Sequence, residues 1–174
     1  MRKIRLAITA VLMVSSIATA QGLVDNPGFA EGLDGWTVPE GDFYSFTNED
    51  GFPAPGALRY HAEQEAPAEP VARRFACEPG ANLVLTAAFK TGGALRGEVR
   101  VVDPATERVI AGVQSREVTS WTAYTAQFNT GGATELEVRI FGSSEIAATG
   151  TGTPGTCEVD AVQVYPIDEV PDEV

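Results

Sequence analysis

The groups in this 174-residue chain that could do chemistry are carboxylates, aromatic rings, a few arginines and two thiols. Asp160 lies in Glu158-Val-Asp-Ala-Val-Gln-Val164, a run that reads as a strand. In regular alternation it shares a face with Val162 and Val164, so its carboxylate is expected to point toward the apolar side. Burying a carboxylate without a partner is costly. Something must balance it, and hydrogen bonds from loop amides are one way. Far away in sequence, Asn26-Pro-Gly28 makes a turn and Glu31-Gly-Leu-Asp-Gly35 a second loop, rich in carbonyls and carboxylates. Phe29, set between turn residues, is expected to plug a core, and Trp36 anchors the other end. Three polar pairs, Glu98 and Arg100, Thr125 and Gln127, Glu137 and Arg139, recur on strand-like runs. If those strands are neighbours they form one row of hydrogen-bonding groups, either a groove for a polyol or a solvated face of cross-strand pairs. Signals for catalysis are nearly absent. His61 has no triad partner in any motif, and neither Gly-x-Ser-x-Gly nor a metal-protease helix occurs, so no enzyme is expected.

The elements that must position these residues are short alternating runs broken by Gly, Pro, Asn and Asp, the pattern of an all-β, two-sheet antiparallel sandwich. Strands are expected at Phe43–Phe46, Ala57–His61, Val71–Cys77, Asn82–Lys90, Leu95–Val102, Arg108–Gln114, Trp121–Asn129, Glu135–Phe141 and Cys157–Tyr165. Residues 63–70 read as a loop or edge segment and 143–156 as a mobile loop of small residues. One domain spans 21–166, and the acidic residues 167–174 are expected to be disordered.

Residues 1–20 read as a cleaved leader: Arg2, Lys3 and Arg5, an apolar run from Leu6 to Val14, and Ala18-Thr-Ala20 as the cleavage site. The protein is therefore expected to be secreted or periplasmic, with no membrane attachment after cleavage. The net charge is −12 and the leader carries +3, leaving −15 on the mature chain, which excludes nucleic acid and anionic lipid as favoured partners. The two cysteines, Cys77 and Cys157, are an even number in an oxidising compartment and are expected to form a disulfide, with two free buried thiols as the alternative.

Asn26-Pro-Gly-Phe-Ala-Glu-Gly-Leu-Asp-Gly-Trp36 resembles the opening of carbohydrate-binding modules of the family 4/9/22 kind, within the galactose-binding-like jelly rolls. Glu78-Pro-Gly-Ala-Asn-Leu-Val-Leu85, Val118-Thr-Ser-Trp-Thr-Ala-Tyr124 and Glu158–Val164 are similar to three further strands of those modules, in the same order, so the resemblance spans 23–165. It departs at Leu83, where an aromatic is usual, at Ala30, usually Glu, and at Ala161, often Asp. The resemblance implies a jelly roll and a structural calcium held by Asp160 with Asn26, Glu31, Asp34 and carbonyls of the opening loop. It also implies that the partner is a glycan or polysaccharide, bound without catalysis. Sugars stack on exposed aromatic faces and bond to planar polar groups, which marks Tyr44, Tyr60, Arg100, Gln127 and Arg139. Trp121 joins them if it stands on the polar face rather than covering the end of the sandwich. The alternative is a structural or cell-surface interaction module that keeps this fold without sugar binding.

Overall fold

The computed structural model describes residues 22–62, 69–92, 95–144 and 155–171. The expected leader and most of the two expected loops, 63–68 and 145–154, lie outside the described residues.

The described residues form nine strands: β1 Tyr44–Thr47, β2 Ala57–Ala62, β3 Val71–Ala76, β4 Asn82–Gly92, β5 Leu95–Asp103, β6 Arg108–Gln114, β7 Thr122–Asn129, β8 Glu135–Ser144 and β9 Gly155–Pro166. They pair antiparallel into a five-stranded sheet, β1-β2-β9-β4-β7, and a four-stranded sheet, β3-β8-β5-β6. The two sheets pack face to face as a jelly-roll β-sandwich. Alternation explains the packing. Leu83, Leu85, Ala87 and Phe89 of β4 point inward to meet Val99 and Val101 of β5 and Leu136, Val138 and Ile140 of β8, all buried. Phe29 is fully buried and stacks 5.2 Å from Trp36, so it does plug the core.

Several expectations change. Tyr44 and Tyr60 pair across β1 and β2 with their rings 5.3 Å apart, and both face inward. They are 8% and 1% exposed, so neither offers a face to a ligand, and desolvation pushes both phenols up to about 12. The Tyr60 ring occupies the space where a Cβ on Gly142 would sit, 1.8 Å away, so β8 needs glycine there.

Cys77 and Cys157 are both free. Cys157 faces inward beside Thr91, at one end of β4. Cys77 lies beyond the other end, lining a cavity with Leu83 and Pro166. Leu83 and Thr91 lie eight residue steps apart along β4, roughly 26 Å, far outside the reach of a disulfide. Ile167–Glu169, read as part of a disordered tail, forms a 3-10 turn that lines the same cavity.

The single row of polar pairs splits. Glu98, Arg100, Glu137 and Arg139 lie on β5 and β8 of the four-stranded sheet, whereas Thr125 and Gln127 lie on β7 of the other. Arg100 and Arg139 are register partners, and carboxylates offset their repulsion. Arg139 is held by Glu107 and Glu137, and Arg100 by Glu98 while its guanidinium sits 4.7 Å over Phe141. This is a solvated sheet face, and its Arg100–Glu98 and Arg139–Glu137 pairs run along each strand rather than across it.

The most consequential difference is in β9. Ala88 pairs with Asp160 but Thr86 with Gln163, so β9 carries a bulge, and Ala161 sits at φ +49. A bulge inserts a residue and reverses the alternation beyond it. Val159, Val162 and Val164 therefore all face the core, while Glu158, Asp160, Gln163 and Tyr165 face out. Asp160 is still fully buried, but under loops rather than in the sandwich core.

Candidate functional site

The outward face of the five-stranded sheet is mostly covered, and what remains open is a groove. Its floor is made of small residues: Thr86 and Ala88 on β4, Ala123 on β7, and Ala161 at the β9 bulge. Small side chains at facing positions leave a trough that larger ones would fill. Pro27, Gly28, Phe52 and Pro53 form one wall, and Gln163 and Tyr165 form another, enclosing about 320 Å³. Phe52, Trp121 and Tyr165 are each half-buried, and Trp121 lies 6.4 Å from Phe52 across the rim. Trp121 thus stands on the outward face, in the parity of Ala123 and Thr125, and does not cap the end of the core. Gln127 shares this face, exposed, and pairs through Val84 with Tyr165.

The aromatic rim is fixed by two buried or half-buried carboxylates. Asp50 Oδ1 accepts the Trp121 indole N–H at 2.8 Å, and its other oxygen pairs with Lys90. Lys90 also lies 3.6 Å from Glu158, which is 5% exposed and bound by Arg59 at 2.5 Å. The chain Arg59–Glu158–Lys90–Asp50 holds the indole from behind. The Lys90 and Trp121 hydrogen bonds hold the Asp50 carboxyl down at about 2, and Asp50 in turn raises Lys90. Ser45 Oγ lies 3.3 Å from His61 Nε2, outside the groove.

Asp160 fixes the loop that carries Phe52. Its Oδ2 accepts the Phe52 N–H at 2.5 Å and its Oδ1 the Ala161 N–H at 2.6 Å. Desolvation pushes its carboxyl up to about 7, against the lowering effect of these two amides. The residues expected to join it in holding calcium do other work. Asn26 donates to the Gly32 and Asp34 carbonyls and accepts from Glu31 N–H. The Pro27 carbonyl accepts Val162 N–H, and the Glu31 and Asp34 side chains are exposed. Calcium takes six to eight oxygens. Among the described residues no group of three His, Cys, Asp or Glu gathers for a metal. As placed, the Glu31 and Asp34 carboxylates do not gather at Asp160, whose two oxygens accept from backbone amides.

Sequence reasoning put Gln127 on the polar face and left Trp121 open between that face and the end of the sandwich; the structure puts both on the outward face of the five-stranded sheet. Sequence reasoning took Arg100 and Arg139 for the same surface, and they belong to the opposite sheet. It noted Phe52 only as a loop aromatic, and missed Tyr165, Asp50 and Lys90. Alternation from Val162 and Val164 already puts Tyr165 outward; what alternation could not show is the groove beside it.

Comparison with solved structures gives the fold. A family 61 carbohydrate-binding module in complex with β-1,4-galactotriose superposes with a TM-score of 0.62 at 12% identity, over 84% of this chain and 99% of that one. The CBM22-1 xylan-binding domain of Paenibacillus barcinonensis Xyn10C gives 0.55 at 16% identity, over 84% and 95%. The chain has the fold of a carbohydrate-binding module. The enzymatically active domain of bacteriophage CBA120 tailspike protein 4 also contains this fold, with a TM-score of 0.58 at 17% identity, but this chain spans only 21% of it. No family model matches the sequence, and no curated protein does. Among the described residues no helix is long and apolar enough to cross a membrane.

Proposed function

We propose that the protein is an exported, non-catalytic module that binds a glycan chain in the groove across its five-stranded sheet. The observation that carries this reading is a groove lined by half-buried Phe52 and Tyr165 over a floor of Ala88, Ala123 and Thr86, with half-buried Trp121 beside Phe52. A sugar ring presents an apolar face to stack on such rings and hydroxyls at its edge, for which Gln127, Thr125 and the edge backbone of β7 are in place. The solved modules that share the fold include one complexed with a galactotriose and one named for binding xylan, which supports a polysaccharide as ligand. Among the residues lining the groove none is a carboxylic acid or histidine, the groups that hydrolysis of a glycosidic bond commonly uses. The leader read at 1–20 supports export.

The test is a panel of soluble and insoluble polysaccharides, followed by titration calorimetry on whichever binds. Trp121→Ala and Tyr165→Ala are each expected to weaken binding by tenfold or more, about 1.4 kcal/mol. Phe141→Ala, on the other sheet, is expected to leave affinity unchanged. Equal losses from Phe141→Ala and none from Trp121→Ala would place the ligand on the four-stranded sheet and sink the assignment.

A further inference from the structure

Resting on that reading, we infer that the groove takes the end of a glycan chain and not its middle. A site that binds along a polymer needs two mouths, one for each direction in which the chain continues. Across the strands, and among the described residues, this groove is open at β7 and closed at β9. Its floor is built from β7, β4 and β9 only, and no residue of β1 or β2 lines it.

At β9 the groove is walled. β2 pairs with β9 only as far as Val159, and from there the N-terminal segment takes over the free edge. Leu23 N–H bonds to the Val164 carbonyl at 2.8 Å, and Val162 N–H to the Pro27 carbonyl at 2.9 Å. The Gln163 side chain clamps Val24 from both sides, accepting its N–H at 2.7 Å and donating to its carbonyl at 2.8 Å. Pro27 and Gly28 then meet the Phe52-Pro53 turn, and both pairs line the groove. Asp160 anchors this corner: it is fully buried, bonded to Phe52 N–H, with Gly28 against its Oδ1.

At β7 the groove is open. β7 is an edge strand, and Ala123, Thr125 and Gln127 are all exposed. From β7 to β9 is two strand spacings, roughly 10 Å, and the volume lies at the small end for ligand pockets. A chain entering over Ala123 meets the wall after about one or two rings.

The experiment uses β-1,4-galactan and xylan, each intact and each partly cleaved by an endo-acting hydrolase to raise the number of chain ends about tenfold at constant mass. Binding sites per gram are expected to rise about tenfold at unchanged Kd, and short oligosaccharides to bind as tightly as polymer. Ala123→Trp, at the exposed mouth, is expected to abolish this binding. Sites per gram that stay constant or fall on cleavage, with binding retained, would overturn end recognition while leaving glycan binding intact. Binding that survives Ala123→Trp would overturn the location. No binding to any sample would overturn both this inference and the function it rests on.

Discussion

Asp160 is a buried carboxylate whose partners are two backbone amides, so its charge is stabilised by dipoles alone. Its folded pKa, about 7, lies above the unfolded value near 4, so between those values the folded protein holds a proton that the unfolded chain releases. Stability from this group is therefore fully present below pH 4 and is lost as pH rises toward 7, with a ceiling of about 4 kcal/mol. The other shifted carboxyls, Asp50, Asp103 and Glu107, are lowered and act at more acid pH. The melting temperature is expected to fall between pH 5 and pH 8, and Asp160→Asn to flatten that slope. Calcium and chelator are expected to leave the melting temperature unmoved. A calcium-dependent rise abolished by Asp160→Asn would instead show that the carboxylate holds a cation. The two cysteines give a second check at this scale. Burial pushes the Cys157 thiol up to about 12 and raises Cys77. Intact-mass labelling is expected to find two free thiols after unfolding, with Cys157 unreactive in the native protein.

At the scale of elements, the bulged β9 and the N-terminal strap act together. The bulge turns Gln163 outward at the point where its amide reaches Val24, and so converts a stray N-terminal segment into the wall of the groove. Gln163→Ala removes both bonds and leaves the buried Val24 backbone unpaired. It is expected to cost roughly 2–6 kcal/mol in denaturant unfolding, from two buried groups at about 1–3 kcal/mol each. Because the strap also closes the groove, the same variant is expected to lose end selectivity before it loses the fold. An unchanged unfolding midpoint would show that the strap is held by its backbone bonds alone.

Across the whole molecule, the two sheets have different outer faces. The four-stranded sheet carries a closed set of ion pairs, with Arg74, Arg100 and Arg139 each matched to a carboxylate, and such exposed pairs add little stability. The five-stranded sheet gathers charges into the Arg59–Glu158–Lys90–Asp50 chain, of which Glu158 is buried, and leaves aromatic rings and small residues at the surface. A concave, mainly apolar lining on an acidic chain is where a largely uncharged ligand would be taken.

By itself, the sequence determined the local chemistry: strand positions within three residues, the turn at Asn26–Gly28, the inward set on β4 and the packed Phe29. These follow from alternation and turn propensity, which act between neighbours in the chain. It also determined that Trp121 and Gln127 share a parity. What only the tertiary structure decided was which strands became neighbours. That choice sent Arg100 and Arg139 to the sheet opposite Gln127, put Tyr44 and Tyr60 inside, and set Cys77 and Cys157 at opposite ends of β4. A one-residue bulge at Ala161 put Asp160 on the face opposite Val162 and Val164 and so moved it under the loops. Period-two reasoning assumes an unbroken register, and register depends on partners far away in the sequence.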